Sequence, residues 1–155
     1  MIEEIQGDVF KAKEKVLIHG CNCFNTFGSG VAKIVKELYP GAYEADQETE
    51  KGDTQKLGSY TVWSGKHCYY DQDIIVINSY SQYGYGSLFN KQVQLQYDKL
   101  RESLEQIEFV YRGASFAMPR IGAGLARGDW ATIKKIIEEV FTGYKKNELV
   151  RIYYL

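Results

Sequence analysis

The stretch HGCNCFNTFGSGVAKIV, residues 19–35, decides the fold. It starts at the end of a short apolar run, KVLIHG (15–20), which is bounded by glycine and reads as a buried strand. Two asparagines, two cysteines and a Gly-Ser-Gly turn follow, and then the period changes. From Ser29 onward Val31, Ile34, Val35, Leu38 and Tyr39 fall at i, i+3, i+4, i+7 and i+8, one face of a helix that ends at Pro40-Gly41. Strand, glycine turn and helix form one unit, with polar groups gathered at the mouth of the helix.

The same reading extends in both directions. MIEEIQ (1–6) alternates apolar and polar residues and reads as a strand, with GDVFK (7–11) as a turn after it. GAYEADQETEKG (41–52) is acidic and weakly patterned, which predicts an exposed segment. LGSYTVW (57–63) and DIIVINSY (73–80) read as strands, with KHCYY (66–70) in the hairpin between them and His67 exposed there. Val93, Tyr97, Leu100, Leu104 and Ile107 keep helical spacing. ASFAMP (114–119) reads as a buried strand and RIGAGLARGD (120–129) as a loop. WATIKKIIEEVF (130–141) is a helix with Ile133, Ile136, Ile137, Val140 and Phe141 on one stripe, and LVRIYYL (149–155) is a final strand. Strands alternating with helices, plus a strand-to-strand hairpin, predict an α/β fold: a three-layer α/β/α sandwich with a mixed central sheet, formed by one domain over 1–155.

Composition narrows the function classes. The 155 residues carry 19 Lys and Arg against 20 Asp and Glu, a formal charge of -1, so there is no basic surplus to hold a nucleic-acid backbone. No apolar run approaches the ~20 residues of a membrane span, and the acidic MIEEIQGDVF does not resemble a signal peptide. Cys21, Cys23 and Cys68 cannot all pair, and reduced thiols fit a cytoplasmic setting.

Two glycine loops could hold a ligand. In open α/β sheets the ligand crevice lies beyond the carboxyl ends of the strands, where glycine lets backbone amides approach closely. NTFGSGVAK (25–33) would bring the first amides of a helix to an anion, and RIGAGLARGDW (120–130) repeats the pattern. Two facing cradles suit a diphosphate. Neither loop is a complete dinucleotide or P-loop fingerprint, which disfavours a Rossmann-type oxidoreductase, and either could serve only as a tight turn.

Taken in order, GDVF (7–10), HGCNCFNTFGSGVA (19–32), IGAGLARGDW (121–130) and the terminal IYYL (152–155) resemble the motif set of macrodomains, the ADP-ribose-binding α/β/α modules. The resemblance spans essentially the whole chain, and NSYSQYGYG (78–86) is most similar to the phage- and fungal-type branch, whose activity is removing phosphate from ADP-ribose-1″-phosphate. The resemblance implies Asp8 and Val9 at the adenine, Gly28, Ser29, Gly30 and Val31 as the first phosphate loop, and Gly122, Ala123, Gly124 and Leu125 as the second. Tyr153 would lie beside the adenine. Asp8 fits a helix N-cap equally well, and Tyr153 fits ordinary core packing.

For chemistry, Asn22 and Asn25 are candidates at the distal ribose, where a carboxamide both donates and accepts; both also suit turns. His19 is a candidate proton carrier, or a hydrogen-bonded histidine at a strand end. His19, Cys21 and Cys23 share one face of a strand, but no fourth ligand lies nearby, so no metal and no cofactor is expected. Gln82 and Tyr83 would reach the distal end as neutral donors to a terminal phosphate, or be fillers. Asp129 reads as the N-cap of the helix at Trp130. In the branch that strips ADP-ribose from DNA or protein, a lysine follows the strand equivalent to DIIVIN and an acid often follows the second glycine loop. Here residues 79–86 contain no lysine, and Ala126 follows Leu125. The expected activity is therefore hydrolysis of ADP-ribose-1″-phosphate to ADP-ribose and phosphate by a cytoplasmic monomer, in the host cytoplasm if phage-encoded. The alternatives are a hydrolase acting on ADP-ribosylated protein or nucleic acid and a non-catalytic ADP-ribose reader.

Overall fold

In a computed structural model of the chain, the residues described are 1–85, 95–124, 126–143 and 146–155. Eight strands occur among them: β1 (Ile2–Gln6), β2 (Val16–Cys21), β3 (Tyr60–Lys66), β4 (Asp73–Tyr80), β5 (Ser115–Pro119), the two-residue pair β6 (Thr142–Gly143) and β7 (Lys146–Asn147), and β8 (Leu149–Tyr154). Four α-helices accompany them: α1 (Gly30–Leu38), α2 (Pro40–Gln47), α3 (Tyr97–Val110) and α4 (Trp130–Phe141). Val93 lies outside the described residues.

The main sheet has six strands in the order β1-β8-β5-β2-β4-β3. All pairings are parallel except β3 with β4, the expected hairpin, so the sheet is mixed. Alternation along the central strand β2 feeds two cores. Val16 and Ile18 join Leu100, Leu104, Phe116, Ile133 and Ile137 on the α3/α4 side. Leu17 and Cys21 join Val35, Tyr39 and Ala42 on the α1/α2 side. Burial on both faces is why β2 reads as a continuous apolar run rather than an alternating one. Among the described residues no helix is long and apolar enough to cross a membrane.

Three local readings need correction. Residues 41–52 are not simply exposed: Pro40 opens α2 directly after α1, its fixed φ suiting a first helical turn, and the helix buries Ala42 and Asp46. Gly41 permits this close approach, since a Cβ there would lie 2.1 Å from the Trp63 indole nitrogen. His67 is 7% exposed, its Nε2 donating to the Ala12 carbonyl (2.9 Å) while Nδ1 accepts from the Tyr69 amide (3.0 Å). The apolar stripe of α1 is divided: Val35 is fully buried, whereas Val31, Ile34 and Leu38 face a cavity.

Candidate functional site

Two adjoining chambers open at the carboxyl ends of the parallel strands. The first, about 510 Å³, is lined by Gly20, Cys21, Asn22 and Thr26 after β2, by Gly28 to Ala32 at the start of α1, by Gln82 and Tyr85 after β4, and by Pro119 to Gly122, Gly124 and Ala126 after β5. The second, about 660 Å³, is lined by Asp8, Val9, Ile34, Leu38, Tyr69, Trp130, Tyr153 and Tyr154 among others. Val31, Pro119, Arg120 and Gly124 border both, which joins them into one groove.

Where the chambers meet, the backbone supplies donors. The first amides of a helix have no intrahelical partner, and those of Gly30, Val31 and Ala32 open α1 at the wall of the first chamber. Ser29 is the N-cap, yet its side chain makes no capping bond. Across the groove the arrangement differs from a second helix terminus. Asp129 caps α4, its Oδ2 accepting from the Thr132 amide (3.1 Å) and hydroxyl (2.7 Å), which holds its carboxyl below the usual range. The glycine turn before it forms that wall instead. Its Ala123, Arg127 and Gly128 amides close bonds within the turn, while Gly122 and Gly124 line the chamber. Leu125 lies outside the described residues.

Gly122 has a φ of +76°, and a Cβ there would stand 2.7 Å from Leu95 Cδ1. Gly122→Ala is therefore expected to cost about 2 kcal/mol and lower the melting temperature by roughly 4–8 °C. Gly28→Ala, where nothing lies within 4 Å, is expected to leave it unchanged. Thermal melts of the two variants check this pair.

At the second chamber Asp8 serves as a cap and still borders the cavity: Oδ1 accepts from the Phe10 amide (2.9 Å) at the start of a short 3-10 turn over Val9–Lys11, and the residue is exposed. Tyr153 lines the same chamber, its hydroxyl donating to both oxygens of the buried Glu14 at 2.8 and 3.1 Å. Burial and that carboxylate raise the Tyr153 phenol well above its ordinary range. Trp130 and Tyr154 complete the aromatic wall.

The candidates for chemistry separate. Asn22 lines the first chamber, and its carboxamide organises the loop: Oδ1 accepts from the Phe24 amide (2.8 Å), and Nδ2 donates to Thr26 Oγ1 (2.9 Å) and to the Thr26 carbonyl (3.2 Å). Asn25, by contrast, turns away. At φ 57°, a left-handed conformation that asparagine tolerates, it donates to the Thr49 carbonyl (2.8 Å) and accepts from the buried Lys56 ammonium. Lys56 Nζ also donates to the carbonyls of Cys23 (3.1 Å) and Glu50 (3.2 Å), so it lies behind the loop and lines neither chamber.

His19 does not reach the groove either. It is completely buried, with Nε2 donating to Asn78 Oδ1 at 2.6 Å, a pairing set by the β2–β4 register that places the two residues opposite each other. Burial lowers its pKa to about 4, so the ring is neutral and its role is structural. From it a buried chain runs through Asn78 and Thr61 to Tyr80, whose hydroxyl donates to Asp46 Oδ1 at 2.6 Å. This chain ties β2, β3, β4 and α2 together behind the first chamber.

Gln82 lines the first chamber and donates to the Gly84 carbonyl (2.9 Å). Tyr83 donates to the Gly52 carbonyl (2.9 Å) and packs edge-on to Phe24, and is not among the lining residues; Tyr85 takes that position. The alternation in SQYGYG was the available signal for Tyr85. Thr26, Arg120 and Trp130 were also missed, and for Arg120 the signal was a lone cation directly ahead of the second glycine loop.

No family model matches the chain. An uncharacterised 17.5 kDa protein of Enterobacteria phage T4 is 37% identical over 145 residues, which cover 89% of this chain and 88% of the phage protein. An ADP-ribose 1″-phosphate phosphatase of Aspergillus oryzae is 54% identical over 43 residues, 27% of this chain but only 21% of the fungal protein. Among solved structures, the macrodomain of Mycobacterium tuberculosis DarG superposes with a TM-score of 0.73 over 100% of this chain and 98% of that one, at 19% identity.

Proposed function

We propose that the chain, which has the macrodomain fold, binds ADP-ribose along the joined groove and hydrolyses ADP-ribose-1″-phosphate to ADP-ribose and phosphate. The observation that carries the reading is the order of chemistry along the groove. An aromatic chamber with Asp8 at its edge suits adenine, the amides that open α1 and the facing glycine turn suit the diphosphate, and Asn22, Thr26 and Gln82 offer neutral donors and acceptors for the distal ribose and its phosphate.

In this reading Asp8 keeps one oxygen on the Phe10 amide and offers the other to the adenine amino group, with Val9 and Tyr153 against the ring. Gly28, Ser29, Gly30 and Val31 face Gly122, Ala123 and Gly124 across the diphosphate. At the distal end, water adds to the reacting centre as the bond to the phosphate group breaks, and the proton of that water passes to the departing oxygen. Among the described residues lining the first chamber there is no carboxylate or imidazole, so the barrier falls through positioning and amide donors rather than a side-chain base. The lysine-based glycosidic route is disfavoured by the absence of lysine from residues 79–86, and among the described residues Lys56 lies buried behind the loop and lines neither chamber.

The test is release of inorganic phosphate from ADP-ribose-1″-phosphate, with ADP-ribose binding followed by calorimetry. Turnover together with binding is the expected result. Binding without turnover would leave a reader or a hydrolase of another ADP-ribose linkage, and absence of both would sink the site assignment. Attack at phosphorus and attack at the anomeric carbon give the same products. Oxygen-18 water separates them by labelling phosphate in the first case and ADP-ribose in the second.

A further inference from the structure

Of the described residues lining the two chambers, Arg120 is the only cationic side chain, and it borders both. It is held in place. Its guanidinium lies 4.5 Å from the Tyr154 ring centroid and 5.4 Å from that of Trp130, and Nη2 donates to Glu4 Oε1 at 3.1 Å. The same Glu4 oxygen accepts from the Trp130 indole (3.0 Å), and its second oxygen accepts from Lys134 (2.9 Å). One carboxylate therefore serves two cations, so Glu4 does not by itself neutralise Arg120.

Resting on the ADP-ribose reading above, we propose that Arg120 is the charge that selects for the anionic middle of the ligand, preset by Tyr154, Trp130 and Glu4. Backbone amides carry only partial charge, whereas a diphosphate bridging the chambers carries full negative charge, and the groove offers it a single guanidinium. A planar guanidinium already packed between aromatic rings loses little freedom when it meets phosphate oxygens, and it can engage two of them at once. Because the cluster is partly exposed, its contribution falls as salt rises.

The experiment titrates ADP-ribose and adenosine into the wild type, Arg120→Gln and Arg120→Lys, at low and high salt. Arg120→Gln is expected to weaken ADP-ribose binding about 10-fold at low salt, in line with losing a charge-assisted hydrogen bond, with adenosine binding weakened far less. Arg120→Lys is expected to recover part of the loss, and the gap between wild type and Arg120→Gln is expected to narrow at high salt. Equal losses for both ligands would make Arg120 a wall of the adenine chamber and overturn the proposal, as would ADP-ribose binding that does not change. A wild type that binds adenosine but not ADP-ribose would instead overturn the ADP-ribose reading itself, and the assignment of Arg120 with it.

Discussion

Asn22→Ala is expected to lower phosphate release from ADP-ribose-1″-phosphate by about 100-fold while ADP-ribose binding persists, because displacing a positioning group by an ångström or so has an effect of that order. Asn22 is 9% exposed, lines the first chamber, and uses both ends of its carboxamide to shape the loop from Cys21 to Thr26. Alanine removes the acceptor for the Phe24 amide and the donor to Thr26 together. Asn22→Asp keeps the acceptor and loses the donor, so an intermediate rate is expected. Thr26→Val, which deletes one partner of Asn22 and leaves its amide in place, is expected to have a smaller effect. Initial rates for the three variants, with binding measured alongside, check the series. Unchanged turnover in Asn22→Ala would place the reacting end of the ligand elsewhere in the groove.

The second large effect concerns stability. His19 has a pKa of about 4 in the folded protein, against an ordinary value near 6.5. Its folded pKa is depressed, so as pH falls the unfolded chain takes up a proton first. The stabilisation is fully present above about pH 6.5 and is lost progressively down to about pH 4, a change of roughly 3 kcal/mol. Asp46 works in the opposite sense, since burial raises its carboxyl and penalises the charged form at neutral pH. Comparison with His19→Gln isolates the histidine. In urea unfolding at a series of pH values, the advantage of the wild type over His19→Gln is expected to shrink by roughly 3 kcal/mol from pH 7 to pH 4. A constant difference across that range would show that the ring is not held neutral.

The groove explains why some side chains were readable and others not. The glycine turns at Gly28–Gly30 and Gly122–Gly124 were legible because glycine takes a left-handed φ at least cost, as Gly30 and Gly122 do. Asp129 was legible as a cap from position alone, whereas for Asp8 the cap was the alternative to an adenine contact; both cap. Asn22 and Asn25 are the same residue type in the same loop, yet one lines the chamber and the other faces Lys56, 31 residues away along the chain. Nothing local distinguishes them.

By itself the sequence determined most of the main-sheet strands and three of the four α-helices with their order, since the periods of β2, α1, α3 and α4 and the turn residues between them depend on neighbours a few positions apart. It also determined that two glycine turns would end at the same edge of a parallel sheet, which follows from the connectivity of strand, turn and helix. Tertiary structure decided the rest. The β2–β4 register set His19 against Asn78 and removed it from chemistry, and the hydrogen bond from Tyr80 to Asp46 anchored α2, a segment with no readable period. The packing of β1, β8 and α4 brought Glu4, Tyr154 and Trp130 around Arg120. Each of these depends on groups far apart in the chain, whose desolvation and pairing exist only once the sheet has formed.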